Sequence, residues 1–369
     1  MTEATARVRE ATFFEPDTEG RVRCVLCPHE CRVPDGAKGA CGVRVNRRGT
    51  LYTLAYDRVI ARHIDPIEKK PLFHFLPGSP AYSISTVGCN LRCAFCQNWD
   101  ISQWPKDHLA RRTEWATDED ARVGCPELEA LDESIPGEPI TPEAVVRGAL
   151  DAGAATIAYT YTEPTIFFEL AYDTACLARE QGLRNIFVSN GFICEAPLRQ
   201  IAGVLDAVNV DLKFFREESY RRVSRARLEP ILDAIRLYHE LGVWVEVTTL
   251  VVPGLNDSDE ELRGIAEFVA SVDLAIPWHV SQFYPAWKMQ DTPVTPRETL
   301  ARARRIGEQA GLRFVYEGNV PGSGGESTRC PGCSAVLIER YGLTMLFNRI
   351  EAGACPDCGE RIEGIWADA

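Results

Sequence analysis

Three cysteines in the run Thr86-Val-Gly-Cys-Asn-Leu-Arg-Cys-Ala-Phe-Cys-Gln-Asn-Trp99 have the types and spacing to do chemistry: Cys89, Cys93 and Cys96, a C-x3-C-x2-C triplet. A structural zinc or an electron-carrying iron–sulfur cluster takes four protein ligands. Three thiolates on a four-iron cube leave one iron without a protein ligand, open to a substrate or cofactor. The competing reading is a run of buried or zinc-binding cysteines.

The chain has 14 cysteines, most of them grouped in short steps around Pro and Gly, which in a reducing compartment means metal thiolates rather than disulfides. Toward the end, Cys330-Pro-Gly-Cys333 and Cys355-Pro-Asp-Cys358 form two C-x2-C knuckles that match a closed, tetrahedral zinc ribbon. A rubredoxin-like iron is the alternative there. Near the start, Cys24, Cys27, Cys31 and Cys41 supply four more thiols in a spacing of neither a common ferredoxin nor a common zinc finger. Structural zinc and an auxiliary iron–sulfur cluster both remain open for them, with His29 as a substitute ligand. Cys125, Cys176 and Cys194 fall outside the three groups and are read as loop or buried thiols without a role.

These residues need a scaffold, and 369 residues suffice for one large core with small modules at its flanks. Apolar runs at 82–87, 156–161, 185–189, 207–212, 244–251, 278–283 and 312–316 predict strands, with helical patterns between most of them. Thr141-Pro-Glu, Glu163-Pro164 and Thr295-Pro-Arg-Glu mark helix starts. The alternation predicts an α/β fold, a barrel of parallel strands wrapped by helices over 81–319, with active-site loops at the carboxyl ends of the strands. An acidic insertion at 103–140 interrupts it and is read as a solvated excursion or a lid. Residues 1–80 read as a Cys-rich metal-binding module, and 320–369 as a zinc-ribbon or rubredoxin-like module. Both flanks are short of apolar sequence, so a bound metal would supply their folding free energy.

The net charge of -13 argues against a nucleic-acid partner. No apolar stretch reaches the roughly 18 residues that span a bilayer, so a cytoplasmic protein without a membrane partner is expected. Within the strands, the period of two puts Asn209, Asp211 and Lys213 on one face, where an internal salt-bridge layer is the plain reading. Capping of the next helix is the plain reading of Glu163, and a backbone-satisfied buried imidazole that of His279. Glu246, Thr248 and the turn Val252-Pro-Gly-Leu-Asn256 are weaker candidates.

The triplet, with Phe95 before its last cysteine, resembles that of radical S-adenosylmethionine (SAM) enzymes. Four further stretches narrow the resemblance: Asp65-Pro-Ile-Glu-Lys-Lys-Pro-Leu-Phe-His-Phe-Leu-Pro-Gly78, Cys27-Pro-His-Glu-Cys31, Gly39-Ala-Cys-Gly-Val-Arg44 and the terminal ribbon. Together they look like the AmmeMemoRadiSam-system radical SAM enzymes, relatives of pyruvate formate-lyase activating enzyme. The resemblance implies a partial (β/α)6 TIM-like radical SAM barrel with a [4Fe-4S] cluster on Cys89, Cys93 and Cys96. It also implies bound SAM, cleaved reductively to a 5′-deoxyadenosyl radical that abstracts hydrogen. Glu163 and Thr162, where such enzymes carry a Gly-Gly-Glu turn, are then candidates for the cofactor's ammonium. Asn190 in Ser-Asn-Gly191 would reach its ribose, Asp211 and Lys213 match an Asp-x-Lys motif, and His279 would lie near the cofactor. The implied partners are a low-potential electron donor of flavodoxin or ferredoxin type, and Memo-like and AMMECR1-like proteins. Two other readings stand beside it: an activase that installs a glycyl radical on a partner, and a non-catalytic multi-metal protein-binding scaffold.

Overall fold

Short antiparallel pieces come first in the computed structural model, which describes residues 8–108 and 135–367. Strand β1 (Val22–Cys24) pairs on either side with Phe14–Pro16 and Arg32–Val33, while β2 (Arg44–Arg47) pairs with β3 (Thr50–Thr53). Strand β4 (Ala61–Pro66) lies within the first 80 residues yet joins the main sheet, antiparallel to β5 (Pro80–Ser85). Its sequence alternates weakly, and only the pairing with β5 decides its place.

From β5 the chain adds parallel neighbours in sequence order. They are β6 (Thr156–Tyr159), β7 (Arg184–Ser189), β8 (Ala207–Asp211), β9 (Trp244–Val251), β10 (Trp278–Gln282) and β11 (Val315–Gly318). The six crossovers carry helices α1 (Pro142–Asp151), α2 (Phe168–Glu180), α3 (Glu195–Ala202), α4 (Glu229–Glu240), α5 (Asp259–Val272) and α6 (Arg297–Gln309). The sheet has two free ends, β4 and β11, so the barrel is partial, as expected. Strands such as β6 are buried along their whole length, which is why they read as continuous apolar runs rather than alternating ones.

Local chemistry sets the helix starts. Thr141 caps α1 by accepting the Ala144 N–H, with Pro142 in the first turn. Glu163 caps the single turn Pro164–Phe167 that leads into α2. Thr295 is spent differently: its hydroxyl accepts the Phe283 N–H at 2.9 Å and donates to Val251 O, tying the start of α6 to two strand ends.

The segment after β4 braces the molecule. Ile67, Leu72 and Phe75 pack against Ala81, Ala158, Ile186 and Ala207 of the barrel strands. Phe73, by contrast, joins Phe314, Tyr316, Leu337 and Ile338 in a core shared with the last three strands, β12 (Thr328–Arg329), β13 (Val336–Tyr341) and β14 (Thr344–Asn348). Of the insertion, Trp104–His108 is helical and Glu138–Pro139 pairs with Arg58–Val59. Its middle, with Cys125 and the lid reading, lies outside the described residues. Among the described residues no helix is long and apolar enough to cross a membrane.

Candidate active site

The triplet sits on the loop that leaves the carboxyl end of β5. Gly88 has φ +105, and a Cβ there would lie 3.1 Å from Val43 Cγ1 and 3.3 Å from Cys41 O, so the loop needs glycine to pass this close. Each sulfur meets polar atoms. Leu91 N–H donates to Cys89 Sγ at 3.3 Å, and the Asn190 amide lies 3.7 Å from the same sulfur. Cys93 Sγ is 3.2 Å from Ser224 Oγ, and Cys96 Sγ is 3.3 Å from Ser102 Oγ. Burial pushes the Cys89 and Cys93 thiols up, so unligated they hold their protons. Lys106 lies within electrostatic reach of Cys89, and Lys213 of Cys93. Buried and half-buried sulfurs beside an N–H group and hydroxyls, with cations near Cys89 and Cys93, fit thiolates bound to iron.

Burial alone would lower Lys213, but Asp211 and the Cys93 sulfur outweigh it and hold the ammonium above the usual lysine range. Lys213 Nζ bonds Asp211 at 2.8 Å, as the Asp-x-Lys reading requires of two residues on one face. Asn190 is likewise brought to the triplet, but its side chain is engaged there: Nδ2 donates to Asn90 Oδ1 at 2.9 Å, and Oδ1 accepts the Phe192 N–H. Glu163, 1% exposed, accepts from Ser189 Oγ, the Asn190 N–H, and both the N–H and hydroxyl of Thr165. Desolvation still raises its pKa, and it lies within electrostatic reach of Cys89. The Thr162 hydroxyl is spent on Ser85 Oγ and Thr86 O, both at 2.8 Å.

His279 does not join this group. Its Nε2 bonds Glu246 at 2.6 Å, and Phe73 and Tyr316 pack on its ring. Glu246 in turn accepts the backbone N–H groups of Phe73 and His74. The pair therefore anchors the brace, a job that local sequence does not announce. Asn209 donates to Pro71 O, also on the brace, and Thr248 Oγ1 is buried without a partner.

The model of the Radical SAM superfamily matches residues 83–269, half of the chain. This protein belongs to the radical SAM superfamily. It is similar along nearly its whole length to an uncharacterized protein of Methanocaldococcus jannaschii, with 42% identity over 363 residues covering 96% of this chain and 99% of that one. The pyruvate formate-lyase 1-activating enzyme of Escherichia coli shares 21% identity over 243 residues, covering 62% of this chain and 89% of its own. Among solved structures, a radical SAM methyltransferase from Sphaerobacter thermophilus aligns with TM-score 0.44 and 17% identity, over 71% of this chain and 70% of that one.

Membership in the radical SAM superfamily implies a [4Fe-4S] cluster and SAM. The terminal ribbon is a different kind of site. Cys330 and Cys358 sulfurs lie 3.5 Å apart and those of Cys333 and Cys355 3.7 Å apart, and all four fall within 4.8 Å of one another. Among the described residues, no other Cys, His, Asp or Glu set of three or more gathers this tightly. Cys24, Cys27, Cys31 and Cys41 stand farther apart, though each lies within electrostatic reach of others in the set. His29 bonds Asn90 O at 2.8 Å rather than joining them.

Two features of this radical SAM enzyme escaped the sequence reading. Asp65 on β4 accepts from Lys70 at 2.6 Å, from Ser83 and from the Tyr161 hydroxyl, beside Lys69. Burial would raise Asp65, but the hydrogen bonds from Lys70, Tyr161 and Lys69 hold it below the carboxylate range. Tyr161 carries φ +62 in the turn after β6, so this cluster pins a strained turn next to Glu163. The run Asp65 to Lys70 was legible as a motif, but not as the tether of that turn. The second is a cavity of about 500 Å³ at the carboxyl ends of β9, β10 and β11. Gln97, adjacent to Cys96, lines it with Gln282, Tyr284, Glu317 and, from the ribbon hairpin, Leu343.

Proposed function

We propose that this protein binds a [4Fe-4S] cluster on Cys89, Cys93 and Cys96 and cleaves SAM reductively, acting on a substrate held in the cavity beside Gln97. The observation that carries this reading is the triplet itself: three sulfurs at a barrel mouth, each met by a hydroxyl or N–H group. Cys176 neighbours Tyr159 and Tyr172, and Cys194 neighbours Cys24. When bound, the reduced cluster and SAM supply methionine and a 5′-deoxyadenosyl radical, the oxidant for a carbon–hydrogen bond.

The chain's own residues do the rest. Lys213 and Lys106 offset thiolate charge, while Asn190 and the Leu91 N–H polarise Cys89. Glu163 is a buried carboxylate with no ion pair among the described residues, in reach of Cys89, and is assigned here to the ammonium of SAM. Thr162 shapes the same turn, Asp211 orients Lys213, and His279 acts through Glu246 to seat the brace. The ribbon is proposed to hold zinc. A flavodoxin- or ferredoxin-type donor supplies the electron, and Memo-like and AMMECR1-like proteins are the partners to look for in the cytoplasm. An activase role draws on distant relatives named as pyruvate formate-lyase activating enzymes, at 21% identity in Escherichia coli, 22% in Clostridium pasteurianum and 24% in Streptococcus mutans.

The test is anaerobic reconstitution. Reduced protein should form 5′-deoxyadenosine from SAM, and its cluster spectrum should shift when SAM is added. A protein that holds only zinc and leaves SAM intact overturns the proposal and favours the scaffold reading.

A further inference from the structure

We propose that Cys24, Cys27, Cys31 and Cys41 bind a second iron–sulfur cluster, which hands electrons one at a time to the cluster on Cys89, Cys93 and Cys96. The relay rests on the function proposed above; the second cluster does not.

Sulfur spacing argues for a cluster over a single ion. Four thiolates at about 2.3 Å from one zinc stand about 3.8 Å from each other. The ribbon shows such spacing at 3.5 and 3.7 Å. The N-terminal four do not gather within 4.8 Å, yet Cys27 feels Cys24, Cys41 and Cys31 electrostatically. A cube holds its thiolates on separate irons and therefore wider apart, which suits a set that does not converge on one point. All four are free of disulfides. The site also has help for anionic sulfur: Ala40 N–H donates to Cys31 Sγ at 3.4 Å, and the buried Arg44 guanidinium, paired with Glu169, lies within electrostatic reach of Cys24 and Cys41.

Its position argues for the relay. The two sulfur-bearing loops touch backbone to backbone, with Gly88 against Cys41 O, and a Cβ on Gly42 (φ +82) would lie 2.8 Å from Pro105 Cβ. Lys106 stands between them, within electrostatic reach of Cys89, Cys41 and Cys93 at once. A cleft of about 420 Å³ opens at this junction, lined by His29, Lys38, Arg92, Lys106 and Arg225. A basic cleft on a chain of net charge -13 suits an acidic protein donor of the flavodoxin or ferredoxin class. One electron from that reduced donor takes the N-terminal cluster to its singly reduced level. The same electron then reduces the triplet's cluster, leaving the first oxidised again, and no atom or proton moves between them.

The experiment uses the full chain with Cys89, Cys93 and Cys96 all changed to Ala, reconstituted without oxygen. The N-terminal site should retain about four irons and four sulfides, with a reduced-state EPR signal that ignores SAM. Zinc in place of iron, or no metal at all at that site, overturns the cluster. In the otherwise native chain, Cys31→Ser should raise the ratio of dithionite-driven to flavodoxin-driven 5′-deoxyadenosine formation at least tenfold. An equal loss under both reductants overturns the relay. A wild-type chain that does not cleave SAM overturns the relay together with the proposed function, while the metal count of the triple variant still decides the N-terminal site.

Discussion

The ribbon and the triplet both use the C-x2-C step, and the chain builds different sites from it. In the ribbon, four sulfurs converge on one point, and Cys333 and Cys358 stand exposed. Cys89, Cys93 and Cys96 stay apart, packed among Asn190, Ser224 and Ser102, with Lys106 and Lys213 close by. A closed tetrahedron stabilises a small hairpin that has little core of its own, and its ligands need no help from neighbours. On the function proposed for the triplet, an incomplete ligand set with polarised sulfurs would keep a coordination position for chemistry, with charge balance supplied by the surrounding barrel. Ligand count and the residues behind each sulfur therefore separate a structural site from a reactive one, where motif spacing alone does not.

Changing one ligand in each region tests that division. Cys93→Ala should abolish 5′-deoxyadenosine formation and lose the triplet's iron while the ribbon keeps its metal; a variant without that iron that still cleaves SAM would erase the distinction. Cys355→Ser should release the ribbon metal, forfeiting on the order of 10 kcal/mol of local folding free energy. Proteolysis should then cut near residues 328–362 first, with the barrel iron retained. Loss of barrel iron in that variant would make the two sites one cooperative unit.

The brace between the regions gives a pH-dependent prediction. His74 bonds Tyr316 Oη and Glu363 O, and burial pushes it down to about 4, against the opposing pull of Glu246. Unfolded histidine titrates near 6.5, so between pH of about 6.5 and 4 the unfolded chain binds a proton that the folded chain does not. Stability should fall across that window by on the order of 3 kcal/mol and level off below it. Denaturation midpoints of His74→Gln should be flatter with pH than those of wild type; parallel curves would remove His74 from the account. The smallest effect is Lys213→Met, which takes a cation from behind Cys93 and should lower cluster affinity or turnover roughly 10–100-fold. Iron titration and single-turnover rates would show it, and an unchanged chain would mean that the Asp211–Lys213 pair is structural only.

Much of the scaffold could be read from local pattern. The expected strands fall within a few residues of those observed, because parallel strands buried on both faces leave continuous apolar runs. The run at 312–316 is displaced the most, its strand spanning Val315–Gly318. Cysteine spacing announced the triplet and the ribbon. Pairings across long sequence separations stayed hidden: Asp65 with Tyr161, Glu246 with the Phe73 and His74 amides, and Arg44 with Glu169. Each partner is an ordinary polar residue until the fold closes around it. The polar residues expected around SAM mostly satisfy one another, because buried hydrogen-bonding groups take the nearest partner the chain offers.

The most direct test is Mössbauer spectroscopy on anaerobically purified protein carrying isotope-enriched iron, recorded with and without SAM. On this account one iron of the four at Cys89, Cys93 and Cys96 changes its parameters when SAM binds, and the other three do not. Irons at Cys89, Cys93 and Cys96 that are all indifferent to SAM, or a protein whose only metal is zinc, would contradict it.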